Sequence, residues 1–209
     1  MDTSKVYPDY QKAKQKLQKN NLHKGFVAIG SSRIAYDDDH IKEIKEISKI
    51  CAKYILNNNK QTSFITGGGP SVMTAWLEEP FNLGAQASAL ALDLPNEKEE
   101  DHMQFCNKEI SYKFETFYVR KIMMLEYAKA IIVFEGGFGT MDELFEYLTL
   151  MYTDTVPKVP ILIYPQKFYN NVLNFESFLK RGTIREKELN LLTFFNSKEE
   201  LIEKLLKIC

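Results

Sequence analysis

Short apolar runs, several of them followed by glycine, alternate along this chain with longer stretches whose apolar residues recur every three or four positions. The short runs predict buried strands at 25–30, 62–66, 87–92, 110–114, 130–134 and 161–164. The recurring pattern predicts helices at 9–20, 41–55, 116–128, 168–180 and 198–208, and two more that begin at Pro70 and Met141. This alternation predicts an α/β fold, a mostly parallel sheet with helices on both faces.

The length of the chain favours one domain. All 209 residues are assigned to it, with an N-terminal helical extension at 1–24 and a C-terminal helical segment at 166–209. The stretch 9–20 is charged and has few apolar positions, so we expect it to pack loosely on the domain or against a partner. The polar residues 96–102 predict an exposed loop.

The most informative stretch is 130–146, where a predicted strand is followed by Gly136, Gly137 and Gly139 and then by a helix. Glycines let the backbone turn sharply and approach a ligand closely. At the start of a helix, free N–H groups and the positive end of the helix dipole favour an anion. The stretch therefore predicts an anion site.

Acids in the first turn of that helix allow two interpretations. Thr140 and Glu143 have the spacing of a capping box, in which the threonine caps the helix and the glutamate reaches back to the N–H of the cap. A site that only holds phosphate, however, gains nothing from Asp142 and Glu143. The second interpretation gives a carboxylate a chemical task, as a general base or as the stabiliser of a cationic transition state.

Two further segments follow predicted strands at the edge of the sheet where ligands bind in open parallel sheets. Ser31 and Arg33 follow the first strand, and Gly67 and Gly68 follow the second. Arg33 is either a ligand-binding cation or part of a surface salt bridge. Neither glycine turn matches the phosphate loop of P-loop proteins or the dinucleotide-binding fingerprint. Two such turns in one alternating chain still favour a phosphate-bearing ligand.

Arg120 and Lys121 form a basic pair near the start of the predicted helix 116–128. Neighbouring residues on a helix point about 100° apart, so we do not expect both side chains to reach one ligand. The pair is either a solvated patch or includes an arginine that grips an acid or a phosphate with its planar guanidinium.

Composition and charge argue against several classes of function. The net charge is −1 with both signs mixed, which gives no electrostatic case for nucleic acid or a membrane surface. No apolar run approaches the ~20 residues of a membrane span, and the N-terminal stretch lacks the apolar region of a signal peptide. Cys51, Cys106 and Cys209 are far apart, which predicts reduced thiols in a cytoplasmic protein. The scattered histidines predict no zinc site.

These motifs together resemble the LOG (Lonely Guy) family of cytokinin-activating nucleoside 5′-monophosphate phosphoribohydrolases, which are often mislabelled lysine decarboxylases. The stretch 135–143 is similar to the family signature PGGxGTxxE, and 67–73 is similar to its GGGPGxM turn. Arg120 and Lys121 resemble the arginine–lysine pair at the head of the preceding helix, and 30–33 resembles the loop after the first strand. Order and spacing agree over about residues 26–164.

The resemblance implies a Rossmann-like, doubly wound fold and hydrolysis of the N-glycosidic bond of a nucleotide such as AMP or a cytokinin riboside 5′-monophosphate. The products are free base and ribose 5-phosphate. By motif position, Arg120 and Glu143 are catalytic. The residues implied to bind substrate or phosphate are Gly136, Gly137, Gly139, Thr140, Lys121, Gly67, Gly68 and Ser31. The family implies no metal, no organic cofactor, and a homodimer or larger homo-oligomer with active sites near the subunit interface.

Two positions depart from the family pattern. Glu135 stands where the family has proline; its carboxylate would repel phosphate if it pointed inward and would be harmless if it pointed away. Ser71 replaces a glycine of the second turn, so a backbone that needs positive φ, or a close approach to ligand, is altered there.

Three functions remain compatible with the sequence. The first is the nucleotide hydrolase. The second is a non-catalytic binding module for a nucleotide or a related phosphorylated ligand, as in the molybdenum cofactor carriers among related Rossmann-like proteins. The third is a regulatory or assembly protein with a vestigial site. The base is not fixed, because Phe114, Phe117 and Tyr118 either stack on a purine or belong to the core.

Overall fold

The protein forms one seven-stranded sheet in which every pairing of strands is parallel. A computed structural model of the chain describes residues 3–93 and 103–209. The strands are β1 (Gly25–Ile29), β2 (Ser63–Thr66), β3 (Ala87–Leu92), β4 (Tyr112–Phe114), β5 (Ala128–Val133), β6 (Ile161–Ile163) and β7 (Leu192–Phe194).

Helices connect these strands. They are α1 (Val6–Lys19), α2 (Asp39–Asn57), α3 (Val72–Asn82), α4 (Phe117–Glu126), α5 (Phe138–Tyr152), α6 (Gln166–Val172), α7 (Phe175–Lys180), α8 (Glu186–Leu189) and α9 (Lys198–Ile208). Short 3₁₀ turns lie at Thr3–Lys5 and Lys108–Ile110. No helix in the two described ranges is both long and apolar enough to cross a bilayer.

The strand order places a crevice beside the middle of the sheet. From one edge to the other the order is β4-β3-β2-β1-β5-β6-β7. The chain builds one half of the sheet outward from β1, then returns to lay β5 on the other side of β1. Ligands bind at such a reversal, outside the carboxyl ends of the strands. Both glycine turns of the sequence follow strands that end at this edge.

Apolar side chains cover both faces of the sheet, as predicted for a doubly wound fold. Phe26 and Ala28 of β1 join the cluster formed with α2, α3 and α9. Val27 and Ile29 join the cluster on the opposite face, which contains residues of α1, α4 and α5. Alternate residues of one strand therefore supply two cores, and the predicted α/β sheet with helices on both faces is confirmed.

The N-terminal helix packs more tightly than its sequence suggested. Ala13 and Leu17 have no exposed surface, and Asp9 is only 3% exposed. The expectation of loose packing at 9–20 is wrong, because two apolar residues at i and i+4 are enough to seat one face of a helix when a sheet lies beneath it.

Several boundaries differ from the sequence-based prediction. The helix predicted from Pro70 begins at Val72, and the helix predicted from Met141 begins at Phe138. The stretch predicted as one helix at 168–180 forms α6 and α7, and Asn174 caps the second by accepting the N–H of Ser177 at 3.0 Å. The predicted loop at 96–102 lies outside the described residues.

Two elements were not predicted at all, β7 and α8. β7 is a three-residue strand at the edge of the sheet, where the middle position faces solvent. An apolar run that short carries no period. The pairing of Ile161 with Leu192 and of Ile163 with Phe194 depends on the preceding strand being in place.

Candidate functional site

A cavity of about 300 Å³ lies at the carboxyl ends of β1 and β5, where the order of the strands reverses. Its walls come from the loop after β1, from α3, from the start of α4 and from the start of α5. The lining residues are Gly30, Ser31, Ser32, Arg33, Met73, Phe117, Arg120, Gly137, Phe138, Gly139, Thr140, Asp142 and Glu143. The fold thus brings together residues from four separate segments of the chain.

The N-terminus of α5 forms one wall of the cavity. Gly137 occupies the N-cap position and no side chain caps the helix. Thr140 and Glu143 are the third and sixth residues of the helix, so the predicted capping box is wrong. The first N–H groups of a helix have no acceptor within it. Those of α5 therefore face the cavity side of the turn and suit an anion.

Glycines shape the turn between β5 and α5 in two different ways. A Cβ at Gly136 would lie 2.1 Å from Oγ1 of Thr140, so only glycine allows the strand to enter the helix so abruptly. Apart from chain neighbours and the helix backbone itself, a Cβ at Gly137 or Gly139 would meet no described atom within 4 Å. These two glycines line open space that a ligand can fill, whereas Gly136 supports the turn without lining the cavity.

Arg120 and Glu143 meet at the base of the cavity. Nη2 of Arg120 donates to Oε1 of Glu143, although the two residues are 23 positions apart in the sequence. Glu143 is 7% exposed. Within residues 3–93 and 103–209, its Oε2 accepts no hydrogen bond. One carboxylate oxygen is therefore held by the arginine, and the other has no protein donor.

Burial changes the chemistry of that carboxylate. Removal from water raises the pKa of Glu143, because the charged form loses its hydration. The cations of Arg120 and Lys121 oppose this shift, and the carboxylates of Asp142 and Glu146 add to it. The resulting pKa lies above the ordinary value for glutamate, a direction often found in carboxyl groups that act in catalysis.

The glycine turn after β2 supports Arg120 from behind. A Cβ at Gly67 would lie 3.1 Å from Nη1 of Arg120. Gly68 has φ of +72°, and a Cβ there would lie 2.8 Å from Cβ of Ala91. Gly67 allows close packing against the guanidinium, Gly68 allows the turn to pack against β3, and neither lines the cavity.

Lys121 points away from the cavity, as the spacing of neighbouring helical residues suggested. Its Nζ lies 3.0 Å from Oδ2 of Asp142 and also pairs with Glu146. Only 8% of the residue is exposed. This ammonium joins α4 to α5 and is neutralised by two acids, so the phosphate-binding role implied for it has no support in the geometry.

The loop after β1 completes the site. The N–H of Ser31 donates to the carbonyl of Glu135 at 2.8 Å, and Oγ of Ser31 accepts the N–H of Arg33 at 3.0 Å. These bonds fix the loop against the turn that precedes α5. Arg33 is exposed at the cavity wall and forms no ion pair with any described residue, so the salt-bridge alternative is wrong for that part of the chain.

Comparison with known proteins supports the family resemblance. Residues 78–205, more than half of the chain, match a family model described as "Possible lysine decarboxylase". A cytokinin riboside 5′-monophosphate phosphoribohydrolase from Arabidopsis thaliana is 30% identical over 87 residues. This chain belongs to the LOG family.

The curated relatives match only part of this LOG protein. The matched segment is 41% of this chain and 41% of the Arabidopsis protein. A probable cytokinin riboside 5′-monophosphate phosphoribohydrolase from Oryza sativa subsp. japonica is 31% identical over a segment that covers 41% of this chain and 36% of that protein. The chain therefore spans about two fifths of the length of the curated relatives that it matches.

Solved structures with the same fold match over a longer range. The Moco carrier protein of Chlamydomonas reinhardtii superposes with a TM-score of 0.59, covering 89% of this chain and 97% of that one at 13% identity. The molybdenum cofactor binding protein of Rippkaea orientalis gives a TM-score of 0.52 at 16% identity, covering 88% of this chain and 94% of that one. At such identities the likeness shows the Rossmann-like fold alone.

The two departures from the LOG pattern have separate outcomes. Glu135 does not line the cavity. Burial raises the pKa of its carboxyl, and the charges of Asp38 and Glu43 raise it further. Ser71 has a positive φ of 62°, a conformation that favours glycine. Its Oγ donates to the carbonyl of Ile34 at 2.8 Å, a bond that glycine could not make.

Some residues of the site escaped the sequence analysis. Met73 and Phe138 line the cavity, but a methionine and a phenylalanine near a helix start carry no chemical signal. Asp9, which lies outside the cavity, was missed for a different reason. Its Oδ2 accepts the N–H groups of Glu115 and Thr116 at 3.1 and 3.2 Å, more than a hundred positions away, and no local pattern connects those segments.

Proposed function

We propose that this protein hydrolyses the N-glycosidic bond of nucleoside 5′-monophosphates to free base and ribose 5-phosphate. One observation carries the proposal: a buried Arg120–Glu143 pair lies in a cavity whose wall is the N-terminus of α5. The start of α5, which suits an anion, and the carboxylate of Glu143 both line this cavity. Membership of the LOG family supports the same reaction.

In the proposed complex, the 5′-phosphate lies against the first N–H groups of α5 at residues 137–140. These groups and the helix dipole favour a dianion without any metal. Arg33, which has no acid partner in the described part of the chain, adds a positive charge at the same wall. Phosphate held far from the scissile bond positions the sugar for attack.

The bond-breaking step needs a carboxylate near C1′. Loss of the base builds positive charge on the ribose, and Glu143 stabilises that charge and orients water for attack, much as carboxylates do in glycoside hydrolysis. Arg120 holds the carboxylate in the unliganded site and binds the sugar-phosphate in the complex. Phe117 and Phe138, exposed by 51% and 96%, offer ring faces for the base.

The base itself stays open in this proposal. AMP and a cytokinin riboside 5′-monophosphate differ only on the exocyclic amine of the purine, and a role in cytokinin biosynthesis is the narrower of the two hypotheses. The free thiols of Cys51, Cys106 and Cys209 support a cytoplasmic setting for the enzyme, because reducing compartments keep thiols unpaired.

A non-catalytic carrier of a nucleotide or another phosphorylated cofactor is the second candidate. It is favoured by the fold shared with the Moco carrier protein of Chlamydomonas reinhardtii, which extends over 89% of this chain. A carrier would use the same helix N-terminus but would have no use for a carboxylate beside the sugar.

Self-association is part of the proposal. Apolar side chains stand exposed on two helices that meet at the site, α4 and α5. We call the set Tyr118, Ile122, Phe138, Phe145 and Tyr152 the α4–α5 apolar surface. Those on α5 are seven residues apart and lie on one stripe. Covering this surface with a second copy would place two cavities near the subunit interface.

The test is product analysis after incubation with AMP, GMP, CMP, UMP and isopentenyl-AMP, for wild type and for Glu143→Gln. Glutamine keeps the shape and one acceptor for Arg120 but removes the charge. We expect free base from wild type and a rate at least ~100-fold lower from the variant. Equal rates would remove Glu143 from the chemistry. Nucleotide binding without release of base would favour the carrier, and no nucleotide-induced thermal shift would indicate a vestigial site.

A further inference from the structure

Tyr147 is a buried tyrosine whose hydroxyl has no partner. It lies on α5 one turn after Glu143, and 1% of its surface is exposed. Its hydroxyl forms no hydrogen bond within the described ranges. Buried hydroxyls are normally bonded, because the loss of water must be compensated. Phenylalanine would fill the same space without a buried hydroxyl, so the hydroxyl of Tyr147 needs an explanation.

The spacing along α5 connects Tyr147 to Glu143. Residues four apart on a helix share a face, and long helical side chains lean back over the preceding turn. We therefore expect the ring of Tyr147 to lie on the side of α5 that carries Glu143. Burial raises the pKa of Tyr147 well above its usual range, and the charge of Glu143 is the next cause.

The other charges around this hydroxyl belong to the same two helices. Arg120 on α4 lowers the pKa of Tyr147, whereas Asp142 and Glu146 on α5 raise it. Lys121 of α4 is already held by those two acids. Asp142 and Glu146 are paired with Lys121, whereas Glu143 is bonded by Arg120.

That arginine lines the cavity and has donor capacity left for a ligand. Nη2 is the group of Arg120 that bonds Glu143, and its Nε is buried with no acceptor among the described residues. A phosphate or sugar oxygen in the cavity competes directly for the guanidinium. Once the arginine turns to the substrate, Glu143 becomes a buried carboxylate without its cation, a state that favours protonation of the carboxylate.

We propose that Tyr147 is a positioning residue that takes over Glu143 when substrate draws Arg120 away. Its hydroxyl donates to Oε1 of Glu143, the oxygen that the arginine has released. Oε2 stays directed at the sugar, and the carboxylate stays ionised. This inference rests on the proposed function for its catalytic consequence, but the exchange of partners requires only that a sugar phosphate binds.

The first test is calorimetric and needs no turnover. Ribose 5-phosphate is titrated into wild type and Tyr147→Phe at about pH 7, in buffers of different ionisation enthalpy, to count protons taken up on binding. We expect the variant to take up on the order of half a proton more than wild type, because Glu143 loses its donor and protonates. The comparison cancels titration of the phosphate itself.

Two further variants assign the proton. Tyr127→Phe removes the hydroxyl of another buried tyrosine, 7% exposed and near different charges, and should match wild type. The double variant Glu143→Gln with Tyr147→Phe should lose the extra uptake. Equal uptake by wild type and Tyr147→Phe would overturn the proposal, as would a wild type that does not bind ribose 5-phosphate.

The pH dependence of kcat gives a second test, because a residue with a purely structural role would not change it. For Tyr147→Phe we expect kcat to fall about tenfold at neutral pH with little change in KM, and the acid limb of the kcat profile to rise by about one pH unit. The thermal midpoint without ligand should not fall, since the hydroxyl makes no bond there. If wild type releases no base, the hydrolase fails while the proton count still decides the role of Tyr147.

Discussion

At the scale of single residues, the site depends on one ion pair and on what surrounds it. Arg120 and Glu143 come from different helices, and each is buried enough that losing the other leaves an uncompensated charge. Gly67 leaves room for the guanidinium. Lys121 forms ion pairs with Asp142 and Glu146. The carboxyl that remains free for chemistry is Glu143.

Asp9 lies outside the cavity and supports the start of the helix that carries Arg120. Its Oδ2 accepts the N–H groups of Glu115 and Thr116 and the hydroxyl of Thr116. Thr116 is the N-cap of α4 and forms no side-chain cap of its own. An aspartate from α1 therefore caps the helix that carries Arg120.

We expect Asp9→Ala to lower the free energy of unfolding by about 1–3 kcal/mol, because it leaves two partly buried N–H groups without their acceptor. The measurement is urea denaturation. Glu203→Ala, which breaks an exposed pair with Lys207, is the control and should cost less than about 0.5 kcal/mol. Equal effects of the two variants would show that Asp9 does not cap α4.

At the scale of elements, the turn from β5 into α5 does two separable things. Gly136 permits the turn, since Thr140 fills the space where its side chain would be. Gly139 lines the cavity, and a side chain there would extend into open space. One glycine supports the turn, and the other leaves space in the cavity.

This difference predicts opposite effects of the same substitution. Gly136→Ala should destabilise the protein by about 1–3 kcal/mol through overpacking against Thr140. Gly139→Ala lies within a helix and should leave stability unchanged or raise it by up to about 1 kcal/mol, while KM for nucleotide rises because the methyl enters the cavity. Thermal denaturation and KM measured on both variants check this. A destabilised Gly139→Ala with normal KM would contradict it.

At the scale of the whole molecule, the strand order decides where the site is. The return of the chain from β4 at one edge to β5 beside β1 brings four segments to one crevice. The same arrangement leaves the α4–α5 apolar surface uncovered, next to the cavity. An exposed apolar surface of this kind is typical of a protein–protein contact.

We expect wild type to sediment as a dimer and Ile122→Glu to sediment as a monomer at micromolar concentration. Ile122 is 46% exposed on α4, and a buried charge there would oppose contact with a second copy. Val172→Glu is the matched control, because Val172 is 48% exposed on α6 and lies outside that surface. Dissociation by both variants, or by neither, would remove the surface from the interface.

The sequence by itself determined the order and type of most elements, the family, and the candidate pair Arg120 and Glu143. Strands buried on both faces must be apolar along their length, and α2 repeats isoleucines on one face. Such patterns are local, so they can be read from neighbouring residues. β7 has three residues and no period, and it was missed for that reason.

Only the tertiary structure decided which side chains meet. A capping box and a carboxylate with a chemical task were both compatible with the spacing of Thr140 and Glu143. The helix in fact starts at Phe138, and Arg120 lies within reach across 23 positions. Asp9 under α4 and the unpartnered hydroxyl of Tyr147 depend likewise on packing between distant segments. Contacts between distant segments depend on how the helices pack on the sheet, and the pattern of neighbouring residues does not predict that packing.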